Sequence, residues 1–303
     1  MCLSPINAEI DSFSGRVKFT VEGSLRLPCG KCTECISKRA LEWGTRAKHE
    51  ISTHDENCFI TLTYDEQNLP SILIVKSEFQ KFMKRLRKKV KKPLRYMVSH
   101  EYGTRNFRPH HHAIIFGYSP SDLIYLRTTP SGEKIFTSKE LSELWKHGYH
   151  SIGTANERTA YYIASYSLKG NKHELSDPIS GEVICVSDSM DCSKRPAIGY
   201  NYFEKNYEQL LNTGQILPRF YFKKLATLNP QLHERYENDR MLKLKTRSSH
   251  ELYAKFIIDS QKIHDNEFRE TENIKNDEAL HLKTKLKTER DDYHRNIKTR
   301  SEK

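Results

Sequence analysis

The chain has 303 residues, 50 Lys+Arg against 39 Asp+Glu, and a formal net charge of +11. That length allows a sizeable core, and the odd count of seven cysteines argues against a secreted disulfide framework. No run approaches the roughly 18 apolar residues of a membrane helix, and Met1-Cys2-Leu3-Ser4-Pro5 does not open like a secretory leader, so the expectation is a cytoplasmic protein with no membrane partner.

The basic balance, with 16 Tyr and 13 Phe interleaved, favours a polyanionic partner, nucleic acid first. After residue 230 there are 17 Lys+Arg against 15 Asp+Glu, which leaves +9 of the +11 in the first 230 residues. The basic surface therefore belongs to the part expected to fold.

In chain order, Pro28-Cys29-Gly30-Lys31-Cys32-Thr33-Glu34-Cys35 comes first. Cys29, Cys32 and Cys35 have the spacing of a zinc knuckle, for which Cys2 or His49 is the candidate fourth ligand. Reduced thiols at a helix start are the competing reading. A basic helix is expected from Ile36 to about Ile51, and together these make an N-terminal segment over residues 1–55.

Cys58 to Asp65 is β-branched and aromatic and reads as a central strand. A helix follows from Lys76 to Lys92, with Ser77 as its cap and Phe79, Phe82, Met83, Leu86 and Val90 on one face. Its other face is rich in Lys and Arg. One-sign charge at that density repels itself unless an anion lies nearby, so Lys84, Arg85 and Lys88 are candidate nucleic-acid contacts, with Arg108 further on.

Leu94 to Glu101 and Pro109 to Phe116 read as two strands joined by a turn. Side chains alternate across a strand, so His110 and His112 share a face about 6 to 7 Å apart while His111 points away. A hairpin here brings Glu101 beside the pair. Two imidazoles and a carboxylate suit a hard or borderline ion such as Mg²⁺, Mn²⁺ or Zn²⁺.

Residues 119–135 look like loop, Lys139 to Lys146 like a short helix and Tyr149 to Ile152 like a short strand. Glu157 to Lys169 reads as a helix ended by Gly170, with Tyr162, Tyr166 and Lys169 on one stripe. A phenol is a weak nucleophile at neutral pH, and a neighbouring cation or metal favours its ionised form. Residues 171–200 look like polar loop, Leu217 to Lys224 like a final strand or a basic aromatic contact, and the chain after 231 like a charged helical or disordered tail.

These motifs resemble those of the rolling-circle replication initiators of the HUH endonuclease superfamily, most closely the microvirus, gokushovirus-type proteins. The resemblance spans about residues 1–225 and is carried by Pro28 to Cys32, Phe59 to Tyr64, Glu101 to Gly103, Arg108 to His112, Tyr162 to Lys169 and Arg195 to Tyr200, in the family's order. Two positions depart: His111 stands where the family usually has a bulky apolar residue, and Ser165 where a lysine is expected.

The resemblance implies an α+β fold with a five-stranded antiparallel sheet and flanking helices, an HUH-type endonuclease domain over residues 56–230. It implies His110, His112 and Glu101 as ligands of Mg²⁺ or Mn²⁺, and Tyr162 and Tyr166 as paired nucleophiles with Lys169 beside them. The implied activity is nicking of single-stranded origin DNA through a 5′-phosphotyrosyl link, with rejoining, in the cytoplasm of a bacterial host and with that host's helicase and polymerase as partners. The other expectations are a non-catalytic single-stranded DNA-binding protein and a plasmid mobilisation relaxase.

Overall fold

A computed structural model describes residues 2–11, 13–14, 16–69, 72–103, 107–169, 172–176, 181–213 and 216–246, with side chains described except at 166–169 and 240–246. The chain opens with β1 (Ile6–Ile10), β2 (Val17–Phe19) and β3 (Leu25–Leu27), then α1 (Thr33–Ile51). The middle of the chain holds β4 (Asn57–Tyr64), α2 (Lys76–Val90), β5 (Arg95–Tyr102), β6 (Pro109–Phe116), β7 (Leu123–Thr128) and β8 (Lys134–Ser138). After these come α3 (Lys139–Leu144), β9 (Gly148–Thr154), α4 (Glu157–Lys169), β10 (Lys172–Ser176), β11 (Val183–Ser187) and β12 (Ser189–Cys192). Three helices close the described chain: α5 (Tyr200–Asn212), α6 (Arg219–Leu228) and α7 (Pro230–Thr246).

The main sheet is antiparallel and seven-stranded, in the order β12-β5-β6-β4-β9-β8-β7. This corrects the expectation of five strands. β7 and β8 lie where loop composition was read, and β12 lies in the polar stretch after 171; both regions lack the apolar alternation of a half-buried strand. β1, β2 and β3 form a separate small sheet, and β10 pairs with β11. The Leu217 to Lys224 stretch is helical: Tyr221 and Leu225, four residues apart, are its buried positions on α6. Residues 247–303 of the expected tail lie outside the described residues.

Both faces of the central strands are covered, so β4, β5 and β6 are almost continuously buried. One face carries Ile60, Leu62, Tyr64, Val98, Ala113 and Ile115 and packs against Phe79, Phe82, Met83 and Leu86 of α2. Those apolar residues are the ones whose helical spacing is visible in the sequence, and each fully buried one contributes roughly 1.5–3 kcal/mol. No side chain caps α2 at its start, where Val75 is the N-cap, so Ser77 does not play the capping part expected of it.

The other face carries Phe59, Met97, Ile114 and Phe116 and is covered by α1 and α4 through Ala40, Ala47, Ala160, Ile163 and Ala164. Small residues let these two helices approach closely: a Cβ on Gly44 would sit 3.6 Å from that of Tyr161. The Arg195 to Tyr200 motif clamps this layer. Glu50 of α1 accepts from the backbone N–H of Gly199 at 2.7 Å and from the Arg95 guanidinium, while Arg46 Nε donates to the Ile198 carbonyl at 3.0 Å. Gly199 is left-handed, with φ of 76°, and a Cβ there would collide with the Tyr221 hydroxyl and the Arg46 carbonyl.

Candidate metal and tyrosine site

The hairpin from β5 to β6 sets Glu101 directly opposite His110 and Ser99 opposite His112, while β4 sets Thr63 and Thr61 against the same two histidines from the other side. Alternation then does what the sequence demands of it. His110, His112 and Glu101 share the face under α4, and His111 points to the opposite face.

Glu101 Oε2 is 3.9 Å from His110 Nε2 and 3.9 Å from His112 Nε2, and the three donor atoms lie within 4.8 Å of one another. Two donors each about 2.1 Å from one ion are at most about 4.2 Å apart, so small side-chain rotations close the set around one ion. The outer partners orient the rings. His110 Nδ1 lies 3.1 Å from the Arg108 carbonyl, an acceptor only, so Nδ1 carries the proton and Nε2 is the lone-pair end. His112 Nδ1 is held 3.0 Å from Thr61 Oγ1, and Phe59 stacks on the ring at an interplanar angle of 2°.

Burial pushes the His110 pKa down and holds His112 well below the ordinary histidine range, with the nearby charge of Asp188 opposing the fall at His110. Both rings are therefore neutral at pH 7, the form that ligates metal. The two imidazoles and one carboxylate fit a divalent cation and leave coordination positions for a substrate oxygen.

Tyr162 completes the constellation. Its hydroxyl is 3.2 Å from His112 Nε2, and its ring meets that of His112 edge to face at 5.1 Å. α4 is placed for this by its Ala160, Ile163 and Ala164 side, which packs on α1 and the sheet, and Asn156 and Thr159 fasten its first turn by reciprocal hydrogen bonds of 2.9 Å. Tyr161 faces α1 and is buried in that core. Tyr166 and Lys169 lie one and two turns further along α4, and their side chains fall outside the described residues.

The remaining candidates are spread out. Cys2, Cys29, Cys32 and Cys35 converge. His49 does not join them: its Nδ1 is 3.0 Å from the Tyr221 hydroxyl, and its ring is stacked on Tyr202 and Tyr221. Lys84 and Lys88 are exposed on α2, on the far side of the sheet from the histidine pair. Arg85 turns inward and donates to the Leu144 carbonyl at 2.9 Å. Arg108 fastens the entry to β6, donating to the Tyr64 carbonyl at 2.9 Å and pairing with Glu66.

Sequence reasoning left out Thr61 and Asp188. Thr61 was accessible in principle, as a hydroxyl at the alternating position of an otherwise apolar strand. Asp188, buried between β11 and β12, accepts from the Tyr102 N–H at 3.1 Å and lies 3.5 Å from His173 Nε2. It reaches the site only through tertiary packing, and no local pattern marks it.

A family profile described as replication-associated protein, of the ORF2 type, matches residues 57–171, which run from β4 through α4 and contain the whole constellation. Replication-associated protein VP4 of Bdellovibrio phage phiMH2K is 32% identical, over 84% of this chain and 85% of that protein. The chain belongs to the phage replication-associated protein family. Two further replication-associated proteins are similar to it: ORF2 of Spiroplasma virus 4, 31% identical over 70% of this chain and 67% of that protein, and ORF4 of Chlamydia phage 1, 29% identical over 77% and 63%. No solved structure matches. Among the described residues of this replication-associated protein, no helix is long and apolar enough to cross a membrane.

Proposed function

We propose that the protein is an HUH-type replication initiator of the two-tyrosine group that nicks and rejoins single-stranded origin DNA. One observation carries the reading: the Tyr162 hydroxyl lies 3.2 Å from a nitrogen of the His110, His112 and Glu101 cluster. A phenol beside three converging metal donors, on a basic protein of a replication family, suits attack on a phosphodiester.

In this reading Glu101, His110 and His112 hold Mg²⁺ or Mn²⁺, which when bound supplies Lewis-acid polarisation of the scissile phosphate and a lower phenol pKa. Tyr162 Oη attacks phosphorus, a bond forms between that oxygen and phosphorus, and the bond to the 3′ oxygen breaks. The phenol's proton is balanced by the one that ends on the departing 3′ hydroxyl. The link stores the energy of the broken diester, so attack by a 3′ hydroxyl on the phosphotyrosine rejoins a strand. The β4, β5 and β6 frame keeps the phenol and the donors in register. Tyr166, one turn along α4, is the second nucleophile in this reading, and Lys169 a charge partner beside it. The freed 3′ hydroxyl is the primer for a host polymerase, with the host helicase opening the strand ahead.

The test is to incubate the protein with end-labelled single-stranded origin oligonucleotide, with Mn²⁺ or EDTA, and resolve covalent adducts on a denaturing gel. The expected result is a Mn²⁺-dependent adduct that the Tyr162→Phe, Tyr166→Phe double variant fails to form. Tight metal-independent binding without any adduct would replace this reading with that of a non-catalytic single-stranded DNA binder.

A further inference from the structure

The four N-terminal cysteines form a second cluster, unconnected with the tyrosine chemistry. Cys2 precedes β1, Cys29 follows β3, and Cys32 and Cys35 lie at the start of α1, so the three-stranded sheet is enclosed between its first thiol and the other three. Their sulfur atoms all lie within 4.8 Å of one another, and Cys2 Sγ is 3.8 Å from Cys32 Sγ. Tetrahedral coordination with Zn–S bonds of about 2.3 Å separates sulfurs by about 3.8 Å.

The backbone around the thiols is arranged as it is around thiolates. The N–H groups of Lys31 and Cys32 both point at Cys29 Sγ, at 3.4 and 3.3 Å, and the N–H of Cys29 points at Cys2 Sγ at 3.2 Å. The N–H of Gly30 is directed at Cys35. Gly30 has a φ of 74°, which turns these successive amides inward. Such donors stabilise negative sulfur, the form in which cysteine binds metal.

The enclosed sheet also lacks a core of its own. Ala8 is its one fully buried apolar residue, while Ile10, Val17 and Phe19 are 60%, 50% and 66% exposed. Three short strands without an apolar interior do not hold their shape in water unaided.

We infer that Cys2, Cys29, Cys32 and Cys35 bind one zinc ion that folds residues 2–35 into a fixed N-terminal module and anchors the start of α1. Four protein sulfurs close the tetrahedron and leave no position for substrate, so the site is structural. Binding displaces the thiol protons and oxidises nothing.

The test uses the full chain. Protein purified with added zinc and dialysed is assayed for metal by mass spectrometry, then titrated with a mercurial thiol reagent while released zinc is followed with a chromogenic chelator. The expected result is about one zinc per chain, still present in a His110→Ala, His112→Ala variant and lost in Cys2→Ser and Cys32→Ser. Cobalt exchanged into the wild-type chain should give the intense thiolate charge-transfer bands of a tetrahedral four-sulfur site, a readout that survives if the serine variants fold poorly. Zinc removal should open residues 2–27 to protease while β4 to β6 stay protected. Zinc content at background, with the four cysteines alkylated equally fast before and after chelator, would overturn the inference, as would zinc lost with the histidine pair and kept in the cysteine variants.

Discussion

His111 and His112 are neighbours on β6, both buried and both held well below the ordinary histidine pKa, yet they do different work. His111 spends both ring nitrogens inside the protein: Nε2 lies 3.2 Å from the Tyr64 hydroxyl and Nδ1 lies 2.8 Å from His100 Nδ1. His112 commits one nitrogen to Thr61 and turns the other toward Glu101 and Tyr162. Burial, charge and ring type are the same. The two faces of one strand differ in how many nitrogens their own neighbours consume, and the ring with a nitrogen left over is the one that meets a tyrosine.

The strongest way to break this comparison is to exchange the two fates. Glu101→Gln or His112→Ala should bring covalent adduct formation to background, since either removes a donor from a three-donor set; adduct yield against time in Mn²⁺ checks it. His111→Leu, by contrast, should leave adduct formation and Mn²⁺ binding near wild type. It strands the Tyr64 hydroxyl and a His100 nitrogen in an apolar layer, so it should cost about 1–3 kcal/mol in urea unfolding. If His111→Leu abolished metal binding, the assignment of the two faces would be reversed.

A milder change sharpens the comparison. Thr61→Val keeps the shape of the strand but deletes the partner of His112 Nδ1. Mn²⁺ affinity should fall roughly 10- to 100-fold, as for other outer partners of metal ligands, with little loss of stability. Titration calorimetry measures this directly.

The smallest effect concerns a histidine with no metal role. His49 is buried against Tyr202 and Tyr221, and desolvation pushes its pKa down to about 4. The unfolded residue titrates near about 6.5, so between those values the unfolded chain binds the extra proton and stability falls as pH falls. Going from pH 7.5 to 5.5 should cost about 1 kcal/mol through this group. His49→Gln should flatten that part of the stability profile.

The alternation that separates the two histidines is a property of any strand, and for that reason the site was readable before the fold. The hairpin placing Glu101 opposite His110, the helix carrying Tyr162 and the apolar face of α2 all follow from local period and turn composition. What was not readable depends on partners distant in sequence. β7 shows Leu123, Ile124 and Tyr125 to solvent and lies in a Pro, Ser and Thr-rich stretch, so it has no alternation to detect. α6 presents Phe220, Tyr221 and Phe222 in succession, which reads as a strand until the i, i+4 pair of Tyr221 and Leu225 is weighed. The Glu50 clamp on Gly199 joins residues 149 apart, and only the packed layer reveals it.

The most direct measurement of the central claim is to trap the protein on origin DNA in Mn²⁺, digest both components, and map the nucleotide-bearing peptide by mass spectrometry. The account predicts a phosphodiester-linked nucleotide on the α4 peptide at Tyr162, with some at Tyr166, absent when EDTA replaces Mn²⁺. A nucleotide on any residue outside α4, or equal labelling with and without the metal, would contradict it.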